Sequence, residues 1–258
     1  MRDTVAQVYH LARRSVIRQA RQPANVVAPV IFPLGLLAVN SGGLQPATSI
    51  PGFPTDRFIA FAFAVPFIQG ALFATMNAGT DLARDVQTGF LNRLSLTPLR
   101  GAALLAGQLG GVTVLGVVQA CFYLVVGFAA GVRPKAGVGG VAVLLVFAAL
   151  IALAFASFGC WAALRTGSTE AVQGLFPVFF VFLFLSSMNI PRNLIETDWF
   201  RWVATINPVS YLIEAVRALV IYDWHWEPIL IGFAVAIGMS VVGFVLATHA
   251  LIQRMART

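Results

Sequence analysis

Between two long apolar segments of the chain lies the polar stretch DLARDVQTGFLNRLSLT, residues 81–97, which Pro98 closes. The whole chain of 258 residues is 59% hydrophobic and 10% charged, with a mean hydropathy of +0.84. A soluble domain carries roughly 25% charged residues, so this composition predicts an integral membrane protein. Because the hydrocarbon core of a bilayer cannot hold such a polar stretch, residues 81–97 must form a loop or an interfacial helix.

The apolar segments are continuous rather than alternating, which favours membrane-spanning helices over a transmembrane β-barrel. We therefore expect an all-α integral membrane protein with six transmembrane helices. An N-terminal interfacial helix would occupy residues 1–23, the transmembrane domain 24–252 and a cytoplasmic tail 253–258. The expected spans cover about 24–41, 57–80, 102–131, 138–164, 171–190 and 228–251.

Residues 4–21 have the periodicity of an amphipathic helix. Such a helix would lie in the membrane interface with its basic side toward anionic lipid; an ordinary solvated tail is the alternative. The apolar stripe would hold Val5, Val8, Tyr9, Ala12, Val16 and Ala20, and the opposite side His10, Arg14, Arg18 and Arg21.

Two spans contain residues that are unusual in an ordinary helix. Pro29 and Pro33 lie in the first span, where they are tolerated if neighbouring groups satisfy the carbonyls that they leave free. Gly107 and Gly111 in the third span have the G-x-x-x-G spacing, which permits close packing against another helix.

The distribution of basic residues predicts the orientation of the chain. Six spans place both termini on one side, and more of the 17 Lys and Arg residues fall on that side than on the other. Both termini are therefore expected to be cytoplasmic. Residues 42–55, which are rich in Gly, Pro and Ser and contain no Lys or Arg, are expected to form an external loop.

The polar stretch has the charge order of a cytoplasmic helix. Asp81 and Asp85 suit a helix N-terminus, Arg93 and Arg100 suit its far end, and Gly89 permits a sharp change of direction. A helix of this kind can dock into a groove on a partner protein, whereas a solvated loop is the plainer alternative. Apolar anchors would come from Leu82, Phe90, Leu91 and Leu94, and Pro98 would end the helix.

A polar, aromatic segment, residues 191–227, precedes the last span and is too weakly hydrophobic to span freely. Asn207 can cap a helix that begins at Pro208, and this helix is too short to cross the membrane. We expect a re-entrant or interfacial helical hairpin on the outer side. Glu214 and Arg217 are three residues apart and should be paired, shallow or facing a wet cavity, as either a structural or a functional pair.

The sequence contains no recognisable ATP-binding, metal-binding or catalytic motif. It contains no G-x-x-x-x-G-K-[ST] motif for ATP, and its three His residues are far apart, so no metal cluster or hydrolase triad can be assembled. The basic residues behind the net charge of +7 lie at span ends, where they would set the orientation of the chain, so the charge does not indicate a nucleic-acid partner. We expect no enzymatic site and no cofactor in this chain.

The order of these motifs resembles the ABC-2 type permeases, particularly the daunorubicin-resistance-like exporters. The second span is followed by Arg84-Asp85, by Thr88-Gly89-Phe90-Leu91, and then by Leu94 and Thr97-Pro98. The run from Asn207-Pro208 to Arg217 resembles the Asn-Pro motif before the last span of that family. Thr88-Gly89-Phe90 departs from the Gly-Thr-Leu that many members have.

The resemblance implies one half of a transporter in a bacterial inner membrane. Two permeases, identical or related, would form the pathway, and separate ATPase subunits would bind ATP and Mg. The cargo would be a hydrophobic drug or a lipid-like molecule moved outward. Alternatives are a lipid-linked glycan or cell-envelope lipid as cargo, or, from another class, a membrane enzyme or an ATP-independent channel.

The resemblance also assigns residues to roles. Contact with the ATPase would involve Arg84, Asp85, Gly89, Phe90, Leu91, Arg93, Leu94 and Pro98. The substrate pathway, along spans two and five, would involve Phe67, Gln69, Phe73, Asn77, Phe176, Phe180 and Phe184, although phenylalanines that face lipid are equally ordinary. The external re-entrant helix would carry Asn207, Pro208, Glu214 and Arg217.

Overall fold

The computed structural model describes residues 2–90 and 101–255. Within these ranges the secondary structure is helical, which confirms the predicted all-α class. The helices are α1 Arg2–Ala20, α2 Pro23–Gly43, α3 Phe58–Ala62, α4 Val65–Gln87, α5 Gly101–Ala129, α6 Gly137–Thr166, α7 Thr169–Gln173, α8 Leu175–Phe184, α9 Asp198–Ile206, α10 Pro208–Val220 and α11 Trp226–Met255.

Five stretches in the described ranges are long and apolar enough to cross a membrane. Their number becomes six if α9 and α10, between which the chain bends by 79°, are counted as one broken span. An integral membrane protein is therefore confirmed. The five stretches are Asn25–Gly43, Phe58–Gln87, Ala103–Ala129, Gly137–Thr166 and Trp226–Met255.

The stretch predicted as the fifth span is shorter than expected. It consists of α7 and α8, which together cover Thr169–Phe184 and are separated by Gly174. A helix needs about 20 residues to cross the hydrocarbon core, so this element does not reach the full thickness as a helix. The chain from 185 to 190 continues as turns and bends, in which the carbonyls of Leu185, Ser187 and Met188 accept bonds from side chains later in the chain.

The second apolar stretch forms the centre of the bundle, with 83% of its most apolar window buried. It packs directly on α6 because both helices carry glycine at their crossing. A Cβ added at Gly159 would lie 2.1 Å from the carbonyl oxygen of Thr75, and one added at Gly79 would lie 2.7 Å from that of Gly159. Thr75 also donates its hydroxyl to the Phe155 carbonyl at 3.0 Å. The backbones of α4 and α6 are therefore in direct contact at this crossing.

The two prolines of α2 each leave one backbone carbonyl without its helical donor, and a side chain of another helix supplies the missing bond. Pro29 has no N–H for the carbonyl of Asn25, and that oxygen accepts from the side-chain amide of Asn77 at 3.3 Å. Pro33 likewise frees the carbonyl of Pro29, which accepts from the hydroxyl of the buried Tyr123. Each free carbonyl thus finds a donor on a neighbouring helix, as membrane burial demands.

The predicted close packing at the glycine pair of the third span is confirmed. The Gly107 and Gly111 positions of α5 face α1, where an added Cβ would lie 2.4 Å from that of Leu11 and 2.5 Å from that of Ser15, respectively. α1 therefore packs closely against α5 at these two glycines. Of its predicted apolar stripe, Tyr9 is 63% exposed whereas Ala12 faces α5, so only part of the stripe is turned outward.

The helical bundle has two ends with different contacts. At the α1 end, the Gln87 amide donates to the Gly167 carbonyl and Arg254 donates to the Leu164 carbonyl. At the opposite end, called the hairpin end, α10 follows α9 and lies beside the start of the second apolar stretch, where Arg217 binds the Phe61 carbonyl. There Arg57 donates to the carbonyls of Ala130 and Gly131, which close the C-terminus of α5.

Candidate functional site

A cluster of four charged residues joins α1 to α4 at the α1 end. We call Arg14, Arg18, Asp81 and Asp85 the Arg–Asp cluster. Arg14 places its two terminal nitrogens 3.0 and 3.1 Å from the carboxylate oxygens of Asp85. Arg18 donates to the same carboxylate at 2.8 Å and lies 3.3 Å from Asp81 through Nε. The two arginines are four residues apart, as are the two aspartates, so each like-charged pair lies on one face of its helix.

This arrangement corrects two predictions. Asp81 and Asp85 do not begin a separate helix, because α4 continues unbroken to Gln87 and both carboxylates lie in its last turns. The guanidinium groups offset the unfavourable position of carboxylates near a helix C-terminus. The prediction that Arg14 and Arg18 face anionic lipid is also wrong, because they face α4; Asp85 itself is buried, at 5% exposure.

α4 ends next to the cluster at the predicted change of direction. Gly89 has a φ of +68°, the left-handed conformation that glycine adopts without strain, which agrees with its expected role. Phe90 follows, and its ring centroid lies 4.3 Å from the guanidinium carbon of Arg14. Arg84 is exposed on the other side of α4. The other predicted contacts, Leu91, Arg93, Leu94 and Pro98, lie outside the described residues.

Four of the seven predicted pathway residues come together on one surface. Phe73 of α4 lies 5.2 Å, between ring centroids, from Phe176 of α8, which stacks on Phe180 at 5.5 Å. Phe184 extends the row and is 50% exposed. Phe32 of α2, which is not among the predicted pathway residues, contacts both Phe73 and Phe180. We call these five residues the aromatic surface.

The other three predicted pathway residues lie elsewhere. Phe67 is buried against the ring of Tyr123, with centroids 5.6 Å apart, and Gln69 is buried at 2% exposure. Asn77 is held by its bond to the Asn25 carbonyl in α2. Phe67 therefore belongs to the packing between α4 and α5, Gln69 is buried inside the bundle, and Asn77 supports α2.

The hairpin is organised by Asn207. Its side-chain oxygen accepts from the backbone N–H of Val209 at 2.9 Å and caps α10, and Pro208 occupies the first position of that helix. The amide of the same side chain donates to the carbonyls of Phe182 and Leu185, at 2.6 and 3.0 Å. One residue thus starts α10 and closes the C-terminus of α8.

The predicted pairing of Glu214 with Arg217 is wrong. Glu214 instead accepts two bonds from Arg192, at 2.7 and 2.5 Å, because Arg192 sits on the short turn after α8 and reaches across to α10. Arg217 is 4% exposed and donates to the carbonyls of Phe61, Ser187 and Met188 at 3.0, 2.6 and 2.6 Å. Both residues do line a cavity, as the sequence analysis allowed.

Sequence reasoning missed the ion-pair partner of Glu214 at this end, which is Arg192. It lies 22 positions before Glu214, so no helical spacing connects the two residues in the sequence. Pro191 and the loss of hydrophobicity after 190 mark the segment as external but do not select a partner. The role of Arg217 was missed for a similar reason, because carbonyls outside regular helices leave no sequence signal.

Fold and site together define a multi-pass helical membrane protein with an N-terminal helix locked to its second span and a helical hairpin before its last. The chain belongs to the ABC-2 type transporter family, whose model matches residues 6–221.

Known proteins similar to this chain are membrane permeases. It is 23% identical over 244 residues to a protein named as the transport permease ycf38 of Cyanophora paradoxa, covering 92% of this chain and 83% of that protein. It is 28% identical over 236 residues to the ycf38 permease of Porphyra purpurea, covering 87% and 77%. The daunorubicin resistance ABC transporter permease protein DrrB1 of Streptomyces coeruleorubidus is 27% identical over 199 residues, covering 75% and 66%.

Proposed function

We propose that this chain is the permease subunit of an ATP-driven exporter, with ATP and Mg bound by a separate ATPase subunit. Family membership and the drug-resistance permeases among its relatives support this proposal. The observation that carries it is the Arg–Asp cluster, which fixes α1 to α4 directly before the turn at Gly89. A partner that pushes on the chain beyond Gly89 would act on both helices at once.

The proposed force path runs from the α1 end into the bundle. With the termini in the cytoplasm, the ATPase would contact the segment from Arg84 to Pro98. The Arg–Asp cluster would transfer this push to α1 and α4 together, and the glycine contact between Gly79 and Gly159 would pass it to α6. This is a rigid-body movement of packed helices, a common form of switching.

The proposed cargo is hydrophobic. The aromatic surface contains five phenylalanine rings and is open on one side, with Phe184 50% and Phe32 40% exposed. A second permease that faces this surface would enclose an apolar pathway, which suits a hydrophobic drug or a lipid-like molecule. A lipid-linked glycan remains the second candidate, since an apolar wall of this kind would equally contact its lipid tail.

Copurification tests the assignment to an ATP-driven complex. The tagged chain is purified from its native membranes, and the bound proteins are identified by mass spectrometry. We expect an ABC ATPase in stoichiometric amount. Its consistent absence, together with export that persists when cellular ATP is depleted, would show that the chain works without such a partner.

A charge-neutralising variant tests the coupling role of the cluster. Asp85→Asn keeps the size of the side chain but removes the charge that Arg14 and Arg18 share. We expect the variant still to bind the ATPase subunit. Its ATP-dependent efflux of daunorubicin, measured by the fluorescence of the drug, should fall at least tenfold. The matched control is Asp198→Asn, which removes the carboxylate of an exposed ion pair with Arg201 at the hairpin end. Equal efflux by the two variants would contradict the role of the cluster.

A further inference from the structure

A cavity of about 380 Å³ opens at the hairpin end of the bundle. Its deepest residues are Phe61 and Arg217, which are 1% and 4% exposed, and its rim carries the exposed Asn193 and Tyr222. A volume of this size lies in the range of small-molecule sites, which is about 300–1,000 Å³. We call it the hairpin cavity. The remaining residues that line it are Pro54, Pro191, Arg192, Glu214, Ala218, His225 and Pro228.

The charges that line the hairpin cavity favour an anion. Two guanidinium groups, of Arg192 and Arg217, face it together with one carboxylate, of Glu214. That carboxylate is already occupied, because it accepts two bonds from Arg192 and one from the Ser187 hydroxyl at 3.1 Å. The charge of Arg217 is bound by carbonyl oxygens rather than by a carboxylate among the described residues. The cavity therefore keeps an excess positive charge.

Arg192 has donors to spare for such an anion. Its Nε and one terminal nitrogen bind Glu214, and a guanidinium carries five N–H groups in a planar fork that matches phosphate or carboxylate. The ring of Tyr211, 4.4 Å from its carbon, holds the group in place. The amide of Asn193 and the hydroxyl of Tyr222 add neutral donors at the rim.

The surroundings place the cavity at the level of lipid headgroups. Trp199, Trp202 and Trp226 are 63%, 65% and 59% exposed and belong to the same end of the bundle. Exposed tryptophans of this kind mark the interface between hydrocarbon and water. A ligand that enters here would have its polar part in the cavity and its apolar part along the neighbouring hydrocarbon.

From this charge and position we infer that the hairpin cavity binds the phosphate of an anionic membrane lipid. The phosphate would lie against Arg192 and Asn193, and the first carbons of the lipid against Phe61, Tyr222 and Pro191. A cationic headgroup would meet two guanidinium groups and an occupied carboxylate, so a lipid with net negative charge binds more tightly than a zwitterionic one. This site requires no transport activity, so it can be tested by binding alone.

The test measures binding of short-chain lipids to the purified full-length chain. Dihexanoyl phosphatidylglycerol, dihexanoyl phosphatidylcholine and inorganic phosphate are titrated separately, below the micelle-forming concentration of each lipid, by isothermal calorimetry. We expect saturable binding of phosphatidylglycerol, with at least tenfold weaker binding of the other two. Equal affinity for both lipids would overturn the inference, and equal binding of inorganic phosphate would overturn its assignment to a lipid.

Two variants locate the site. Arg192→Gln should raise the Kd for phosphatidylglycerol at least tenfold, whereas the matched control Arg201→Gln, on α9 and outside the cavity, should leave it unchanged. Arg192→Gln also removes the ion pair with Glu214, so the second variant, Asn193→Asp, leaves that pair intact and adds a negative charge at the rim. It should weaken binding at least tenfold without lowering the melting temperature. An unchanged Kd in Asn193→Asp would refute the site.

Discussion

Replacing Arg217 by lysine should destabilise the hairpin end severely. Arg217 binds three carbonyls on two separate segments, Phe61 on one side and Ser187 and Met188 on the other. It is also stacked on the Phe61 ring, with 3.4 Å between its guanidinium carbon and the ring centroid. Lysine keeps the charge but concentrates its donors on one nitrogen, so it cannot reach both segments in this geometry.

The size of the effect follows from the bonds that are lost. A hydrogen bond to a charged group contributes about 1.5–3 kcal/mol, and a buried carbonyl left without a donor costs a similar amount. If lysine keeps one of the three bonds, the loss is about 3 kcal/mol or more. For a chain of this size each kcal/mol lowers the melting temperature by roughly 2–4 °C, so we expect a fall of about 6–12 °C.

The assay uses the cysteines of the chain. Cys160 is fully buried, so a thiol-reactive dye that labels it on heating reports unfolding, with Cys121→Ser introduced to remove the exposed thiol. The matched control is Arg201→Lys, which alters an exposed ion pair of little energetic weight. If Arg217→Lys melts within 2 °C of this control, on the scale of roughly 1 kcal/mol, the three carbonyls do not depend on Arg217 and the reasoning fails.

Two further substitutions test contacts between helices by the same thermal assay. Tyr123→Phe should cost about 1–3 kcal/mol by leaving the Pro29 carbonyl without a donor; Pro33→Ala, which restores a backbone N–H to that carbonyl, should recover part of the loss, and no recovery would contradict the pairing. Gly107→Ala should loosen α1 from α5 and lower the melting temperature, because the new Cβ would lie 2.4 Å from α1; Gly110→Ala, at 3.7 Å, is the control and should have little effect.

Elements with local signals could be predicted from the sequence. The apolar runs predicted the long helices, the position of Gly89 predicted the turn at the end of α4, and Asn207-Pro208 predicted the start of α10. Each depends on residues within a few positions of one another, so pattern and propensity decide the outcome. The resemblance to the ABC-2 family rests on the same local motifs and is confirmed.

Partners distant in the sequence could not be predicted in this way. The charge order of the polar stretch favours Asp85 near the start of a helix, yet arginines 67 and 71 positions away neutralise it and allow α4 to continue. The spacing of three residues favours pairing of Glu214 with Arg217, whereas the fold brings Glu214 to Arg192. In both cases the partner of a charged residue in an apolar bundle is the group that tertiary packing brings next to it.

Tertiary packing also explains why basic residues occur at both ends of the bundle. If they served only to set the orientation in the membrane, they would collect at one end. Arg57 and Arg217 lie at the hairpin end and both donate to backbone carbonyls, as Arg254 does at the α1 end. Carbonyls at helix ends and in turns have no helical partner, and near lipid there is little water to replace one. An arginine there satisfies several carbonyls with one side chain. Such residues follow the ends of helices rather than the sides of the membrane, so they should be left out of a charge count before orientation is inferred.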